Sequence, residues 1–362
     1  MSLFDKAREA TGFSAADGDG WGDVREGTEV VDRLMVSGGE LTEVRLHYRT
    51  LGTLRRDASG APLNAAMLLH GTGASGEQFL RPGFADAMFG QDQPLDLRRW
   101  CVLIPDGLGH GKSSKPSDGL YADFPAYGYS DMVNAQQLLL ERLGLSTLRL
   151  ILGISMGGMQ TWMWAGQHPH RMQAAVAIAC EPAPITGRNL WWRRLITRAI
   201  RNDPDWRAGR FSSPPPGYQA TWPMFPLMTS TPRRLAEFSD PGQVIQTLDA
   251  MAAAAPDATD VLYALEASTD YDPRPLLAEI RAPLLAINFA DDETNPPELH
   301  LLEAALPDAP TASAVLIPAS EHTEGHQSLN HANLYAHHIS DFLDQRDQPG
   351  ADSVLTTSAD QR

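Results

Sequence analysis

The stretch that decides the fold is LRLILGISMGGMQTWMWAGQ, residues 148–167. An apolar run typical of a buried strand leads into Gly-Ile-Ser-Met-Gly, and a helical pattern follows. A serine at such a strand-turn-helix junction carries its hydroxyl above the edge of a sheet, and the flanking glycines remove side chains that would collide there. The helix that starts behind the turn favours negative charge near its N-terminus. The pattern predicts Ser155 as a nucleophile.

A nucleophilic serine needs a base, and the base needs a carboxylate that orients it. In parallel-sheet folds with a serine at such a junction, the chain order is serine, acid, histidine. Both partners then lie in loops after parallel strands. Asp292 follows the strand-like run PLLAINFA and is the predicted acid, with Asp291 as the alternative and Glu293 less favoured. His326 is the predicted base, preferred over His322 because it follows a glycine and begins a short helical stretch.

The tetrahedral intermediate of acyl transfer carries an oxyanion, which two preorganised N–H groups must bind. One donor is predicted to be the backbone N–H of Met156, directly after the nucleophile. The other is predicted to be the N–H of Thr72, in the loop His70–Gly73 that follows the run AAMLL. Gly71, Gly73 and Gly76 also fit the spacing of a dinucleotide phosphate loop, but this spacing alone is a weak signal and the complete triad favours the oxyanion loop.

Composition narrows the classes of function. The chain has 362 residues, 43% of them hydrophobic, and a formal net charge of −16. Such a surface repels phosphate backbones and anionic lipids, so nucleic acid and membrane partners are not expected. The two cysteines, Cys101 and Cys180, lie in apolar runs and predict neither a disulfide nor a zinc site. No organic cofactor or metal is predicted, and the absence of a visible signal peptide predicts a cytoplasmic location, an exported form not being excluded.

Short apolar runs alternate with helical patterns, as in a parallel sheet covered by helices on both faces. The predicted strands lie at 41–50, 65–71, 100–106, 148–155, 174–180, 283–290 and 313–320. The predicted division is a flexible N-terminus at 1–25, a core at 26–182 and 276–345, a helical lid at 183–275 and a flexible tail at 346–362. The helix around residues 131–144 is predicted to have its cap at Ser130 or Asp131 and to end at Gly144.

The lid sequence contains two side-chain groups that suggest binding. Its large apolar residues would suit an acyl or alcohol pocket, although an ordinary subdomain core explains them equally well; they are Trp191, Trp192, Trp222, Met224 and Phe225. Its arginines are predicted to form a solvated helix face; they are Arg193, Arg194, Arg198 and Arg201. The histidines outside the triad, including His110, are predicted to lie in loops or at the surface.

Taken together, these motifs resemble the α/β-hydrolase superfamily, and residues 131–172 resemble its homoserine O-acetyltransferase group. The resemblance covers roughly residues 28–345. It implies an eight-stranded, mostly parallel sheet, a helical lid and often a homodimer built through lid helices. It also places nucleophile, acid and base on Ser155, Asp292 and His326.

Two departures from that group bear on function. Homoserine acetyltransferases carry an aspartate directly after the catalytic histidine, thought to hold the substrate amine, where this chain has Gln327. A neutral amide does not supply the charge that an ammonium group needs. Their Gly/Ser-rich loop is here Gly109–Ser117, with different bulk and charge.

The leading interpretation of the sequence is a serine carboxylesterase or related acyl hydrolase that acts through an acyl-enzyme. Acylation of Ser155 is common to hydrolases and transferases, and only the second acceptor differs. The alternative is therefore an O-acyltransferase that uses acetyl- or succinyl-CoA. A non-catalytic binding protein is the least favoured interpretation, since no triad member is missing. The expected partner is a small ester or acyl substrate.

Overall fold

The structure is a computed structural model that describes residues 23–347. Its centre is one eight-stranded sheet with the order β1-β2-β4-β3-β5-β6-β7-β8. The strands are β1 (Arg25–Val36), β2 (Gly39–Gly52), β3 (Ala65–Leu69), β4 (Cys101–Pro105), β5 (Leu150–Ile154), β6 (Ala175–Ile178), β7 (Leu284–Phe289) and β8 (Ala312–Ile317). An eight-stranded, mostly parallel sheet with helices is the predicted fold class, which is confirmed.

The sheet has two parts that differ in direction. β1 and β2 form a long antiparallel hairpin, and β2 pairs antiparallel with β4. From β4 to β8 all neighbouring strands are parallel, so the loops after them meet at one edge of the sheet. β1 was not among the predicted strands, because its sequence REGTEVVDRLMV is charged and mostly exposed. Its pairing with β2 over the whole hairpin keeps it in the sheet.

Helices cover both faces of the sheet. In the core these are α1 (Pro82–Met88), α2 (Tyr129–Arg142), α3 (Met156–Gln167), and, after the insertion, α10 (Leu301–Ala305) and α11 (Ala336–Asp347). Alternate residues of each strand point to opposite faces: Met67 and Leu69 belong to one apolar cluster, and Ala66 and Leu68 to the other. The two clusters pack the two faces of the sheet against the helices that cover them.

The cap predicted for α2 is wrong by two residues or more. The helix starts at Tyr129 with Gly128 as its N-cap, and Asp131 lies at the third helical position. There its carboxylate accepts a hydrogen bond from the N–H of Gly128 at 2.9 Å, which leaves the aspartate as a capping-box partner rather than the cap itself. Gly144 has φ of +64° just beyond the helix end, as the sequence suggested.

Between β6 and β7 the chain forms a helical insert at the place of the predicted lid, whose bounds 183–275 stay a prediction. It contains α4 (Gly187–Asn202), α5 (Pro216–Thr221), α6 (Met224–Thr229), α7 (Pro232–Ala236), α8 (Pro241–Ala253) and α9 (Ala258–Ala267). A separate small apolar core joins α4, α5, α6 and α9, with Trp192, Ile196 and Leu262 among its buried residues. Helix α8 exposes Val244, Ile245 and Leu248. The homodimer through this region stays a prediction.

The two chain ends fall largely outside the described residues. Residues 1–22 and 348–362 include most of the segments predicted to be flexible. Within residues 23–347, no helix has the length and apolar character that crossing a membrane requires. The same range contains no cluster of three His, Cys, Asp or Glu side chains able to hold a metal ion.

Candidate active site

Ser155 occupies a sharply turned position between β5 and α3. Its backbone has φ of +52° and ψ of −115°, a conformation that side-chain-bearing residues rarely adopt and that the surrounding structure must enforce. The flanking glycines permit the turn: a Cβ at Gly153 would lie 2.0 Å from the carbonyl oxygen of Gly157, and one at Gly157 would lie 1.9 Å from that of Leu69. Strand, turn and helix can therefore pack this closely only with glycine at both positions.

The side chains of Ser155, His326 and Asp292 lie in a line. The distance from Ser155 Oγ to His326 Nε2 is 2.9 Å, and His326 Nδ1 lies 2.7 Å from Asp292 Oδ2. The three residues are 8%, 6% and 1% exposed. Gly325, with φ of +61°, turns the chain so that the imidazole reaches the serine. The geometry suits removal of the serine proton by the imidazole.

The alternative partners from the sequence lie elsewhere. The Asp291 carboxylate accepts a hydrogen bond from the Thr323 hydroxyl at 2.7 Å and has no contact with His326. Glu293 pairs with Arg188 on the surface. The His322 side chain is exposed beside Glu321. The structure thus brings together Ser155, His326 and Asp292 and leaves the three alternatives apart from them.

Several donors hold the Asp292 carboxylate. Asp292 accepts hydrogen bonds from the backbone N–H of Thr294 at 2.8 Å and from the Asn295 side chain at 2.9 Å. Burial alone would raise the pKa of Asp292. The charge of His326 and these hydrogen bonds outweigh burial, and the pKa lies below its ordinary value. An ionised carboxylate is what keeps the imidazole oriented with its free nitrogen toward Ser155.

The backbone N–H groups of Met156 and Thr72 belong to segments that lie next to Ser155. Met156 is the first residue of α3, so its N–H has no acceptor inside the helix. Thr72 lies in the loop after β3, and in the described part of the chain its N–H makes no hydrogen bond. A Cβ at Gly71 would lie 3.6 Å from Cβ of Ser155, which shows how closely the loop approaches the nucleophile. Both groups stay the predicted oxyanion donors.

His70 orients the peptide that carries the Thr72 N–H. Its Nε2 accepts from the N–H of Gly107 at 2.9 Å, so the proton of the neutral ring is on Nδ1, which donates to the carbonyl of Gly71 at 2.9 Å. Burial, with the charge of His110, lowers the pKa of His70 to about 4, which keeps the ring neutral. Because carbonyl and N–H point in opposite directions in a trans peptide, fixing the Gly71 carbonyl aims the Thr72 N–H.

His110 lies in the loop after β4, as predicted, but it is not at the surface. It is buried, and its Nε2 lies 3.1 Å from the carbonyl oxygen of Thr72. The neighbouring Asp106 accepts from the N–H of Gly76 at 2.7 Å and pairs with the buried Arg49 at 2.9 Å. A phosphate that approached the glycine loop would meet the buried, negatively charged Asp106. This argues against nucleotide binding there.

Arg194, Arg198 and Arg201 lie on the exposed side of α4 as predicted, whereas Arg193 does not. It is 4% exposed, and its guanidinium donates to the Asn189 side chain at 2.8 Å and lies 3.4 Å from the Thr72 hydroxyl. In the described residues no carboxylate lies within ion-pairing distance of it. Ile196 and Ile200 lie three and seven residues further on the same buried face of α4, and this spacing was the signal in the sequence.

Glu181, in the loop after β6, is a second buried carboxyl near the site. Oε1 accepts from the Asn288 side chain at 3.0 Å, and Oε2 makes no hydrogen bond within residues 23–347. It borders a small cavity that Met159 and Asn295 also line. Burial, with the charges of Glu303 and Asp292, raises the pKa of Glu181 to about 8. The group is therefore largely protonated at neutral pH.

A mostly parallel sheet with a serine on the turn after its central strand, and a histidine and a carboxylate from later loops at the same edge, has the architecture of the α/β-hydrolase class. The chain belongs to this family, since the family profile described as alpha/beta hydrolase fold matches residues 66–323. An enzyme of the α/β-hydrolase superfamily that is similar to homoserine O-acetyltransferases is the conclusion from fold and sequence together.

Curated relatives are named as acyltransferases. The homoserine O-acetyltransferase of Bradyrhizobium diazoefficiens is 32% identical over 191 residues, 48% of this chain and 46% of that protein. The homoserine O-succinyltransferase of Comamonas testosteroni is 36% identical over 188 residues, 48% of this chain and 45% of that protein. The aligned part thus spans about half the length of these relatives.

Among solved structures, esterase E22 superposes with a TM-score of 0.76 over 89% of this chain and 100% of that one, at 21% identity. At this identity the likeness concerns the fold alone. Relatives named as transferases and a structural neighbour named as an esterase are thus both similar to this chain.

Replacing Asp292 by asparagine is expected to lower kcat for p-nitrophenyl acetate by roughly 10³- to 10⁴-fold, because a neutral amide no longer orients the imidazole. Asp291→Asn is the matched control and should stay within about threefold of the unmodified enzyme. Circular dichroism first establishes that both variants are folded. Their steady-state rates then decide which aspartate is the acid. A loss in Asp291→Asn as large as in Asp292→Asn would contradict the assignment of the acid.

Glu181→Gln is expected to stabilise the protein at alkaline pH. The carboxyl ionises near 4.5 in the unfolded chain and near 8 in the folded one, so its favourable contribution is complete below pH 4.5 and is lost as the pH rises through 8. Thermal unfolding should show little difference at pH 5 and a Tm gain of roughly 2–4 °C at pH 8.5. The exposed Glu298→Gln serves as control, and a gain independent of pH would show that ionisation is not the cause.

Proposed function

We propose that the protein is an O-acyltransferase that carries an acyl group on Ser155 and passes it to the hydroxyl of an acceptor bearing a carboxylate. The observation that carries the proposal is the buried Arg193 guanidinium, which lies 3.4 Å from the Thr72 hydroxyl and has no carboxylate partner in the described residues. The relatives named homoserine O-acetyltransferase and O-succinyltransferase support the same reaction class.

The chemistry follows from the positions of the groups. His326 Nε2 removes the proton from Ser155 Oγ as this oxygen attacks the carbonyl carbon of an acyl thioester such as acetyl- or succinyl-CoA. The N–H groups of Thr72 and Met156 bind the oxyanion, and the leaving thiolate takes the proton from His326. The acceptor hydroxyl then gives its proton to His326 and attacks the acyl-serine, which releases the new ester and returns the proton to Ser155.

Arg193 supports a carboxylate on the acceptor. A buried guanidinium without a counter-charge is costly, and its polar neighbours, the Asn189 amide and the Thr72 and Ser268 hydroxyls, are neutral. A carboxylate entering the site would supply the missing charge through two parallel hydrogen bonds, the geometry that guanidinium groups favour. The centroid of the Trp192 ring lies 4.9 Å from the guanidinium carbon, and the ring stabilises the guanidinium when no carboxylate is bound.

Hydrolysis of an ester, the leading interpretation of the sequence, is the second candidate. Gln327 favours it, because a neutral amide follows His326 where homoserine acetyltransferases have an aspartate. With water as the acceptor no ammonium site is needed, and the same acyl-serine is resolved by hydrolysis. The curated relatives favour the transferase over this interpretation.

The test combines donor, acceptor and nucleophile. With acetyl- or succinyl-CoA, thiol release should depend on added homoserine, and mass spectrometry should identify the O-acyl product. Ser155→Ala should lower the rate by roughly 10⁴-fold or more, because the acyl group then has no carrier. Thioester or ester cleavage at a rate that does not depend on homoserine would make the protein a hydrolase. A folded protein that neither turns over nor reacts with an organophosphate would contradict both candidates.

Arg193→Met is expected to raise KM for the carboxylate-bearing acceptor by roughly 10- to 100-fold, the loss of one charge-assisted pair. The rate of acylation by p-nitrophenyl acetate, which has no acceptor carboxylate, should change by less than about threefold. Arg198→Met, on the exposed face of the same helix, is the matched control. Equal losses with both substrates would mean that Arg193 supports the fold rather than the acceptor.

A further inference from the structure

A continuous chain of side-chain hydrogen bonds joins the oxyanion loop to the helical insert. The N–H of Gly71 donates to Gln78 Oε1 at 3.0 Å, and Gln78 Nε2 donates to Asn330 Oδ1 at 2.9 Å. Asn330 Nδ2 donates to Gln327 Oε1 at 3.0 Å, and Gln327 Nε2 donates to Thr229 Oγ1 at 2.8 Å. The Thr229 hydroxyl completes the series by donating to the carbonyl of Phe225 at 3.0 Å within α6.

The direction of this amide relay is set by its first member. A backbone N–H can only donate, so Gln78 must present its oxygen to Gly71 and its NH₂ to Asn330. The same reasoning then orients Asn330 and Gln327 in turn. All the donors point the same way along the relay, an arrangement in which each hydrogen bond polarises and strengthens the next.

Both ends of the relay lie at the reaction centre. Gly71 precedes Thr72, one of the two oxyanion donors, and its own N–H and carbonyl are held by Gln78 and His70. At the other end, Thr229 is the last residue of α6, whose Phe225 ring would lie 3.3 Å from a Cβ placed on Gly73. The carbonyl of Met228, next to Thr229, accepts from the Thr294 hydroxyl in the loop of the triad acid at 3.2 Å.

We propose that Gln327 is a positioning residue for the oxyanion hole, which it links to the helical insert through Asn330 and Gln78. Packing of the insert over the site then sets, together with His70, the orientation of the Thr72 N–H, so that Thr72 is fully aimed only when α6 is in place. The effect on rate rests on the acyl transfer proposed above, whereas the mechanical link does not.

This role gives a reason for glutamine beside His326. Its Oε1 accepts and its Nε2 donates at the same time, across the gap between Asn330 and Thr229. An aspartate is one methylene shorter and has only acceptors, so it could not donate to Thr229. A glutamate keeps the length, and both its oxygens can accept, one of them from a rotated Thr229 hydroxyl.

The kinetic test compares Gln327→Met, which keeps the length of the side chain but makes no hydrogen bonds, with Gln327→Glu. Gln327→Met should lower kcat for acylation by p-nitrophenyl acetate roughly tenfold and leave KM within about twofold. This is less than the hundredfold or more that losing an oxyanion donor costs, since the Thr72 N–H is still present. Gln327→Glu should recover most of the loss. Gln137→Met, at an exposed amide on α2, is the matched control.

Backbone hydrogen exchange of the full chain, measured by mass spectrometry, tests the link without any turnover. Thr229→Val, at the insert end, should speed exchange several-fold in residues 70–78, and Gln78→Met, at the loop end, should do so in residues 224–231. Gln137→Met should leave both segments unchanged. Exchange that changes only beside each mutated residue would overturn the proposal, whether or not the enzyme proves to transfer acyl groups. If the exchange result is as expected but no acylation occurs, the proposed function fails and the relay stands.

Discussion

The hydrogen bond between the Ser155 hydroxyl and the His326 imidazole is the interaction on which the rest of the site depends. Its partners are 171 residues apart in the chain. They meet because the parallel strands end at one edge of the sheet, where β5 delivers the serine and the loops after β7 and β8 deliver acid and base. The strained turn at Ser155, the glycine before His326 and the donors around Asp292 all hold this one contact at hydrogen-bonding length.

Sequence patterns predicted the parts of the structure that depend on residues close together in the chain. The strand-turn-helix around Ser155 has one physical solution, since Gly153 and Gly157 leave no room for side chains. Asp292 was preferred to Asp291 as the acid, and its Oδ2 lies 2.7 Å from His326 Nδ1. The burial of Arg193 and His110 was missed because a polar side chain suggests solvent when no partner is visible, and both contact Thr72, which lies in a distant loop. The amide relay joins three segments and has no signature in any one of them.

The site combines features of two reaction types. The buried guanidinium beside the oxyanion loop favours a charged acceptor, whereas the neutral Gln327 after the triad histidine lacks the charge for an ammonium group. The same glutamine lies inside a continuous series of hydrogen bonds between loop and insert. The residue type at position 327 therefore affects the hydrogen bonds to Asn330 and Thr229 as well as the charge that a substrate would meet.

The N-terminal hairpin has a consequence for protein engineering. Asp106, at the end of β4, holds the glycine loop, and on the other side it contacts Arg49 and His47 of β2, while Glu26 of β1 pairs with the same Arg49. Burial alone would raise the pKa of Asp106, but the hydrogen bond from His47 and the charge of Arg49 hold it well below its ordinary value. A chain shortened to its parallel strands would thus lose Arg49, the cation that pairs with Asp106. A shortened domain designed from this scaffold therefore has to keep β2, which carries Arg49.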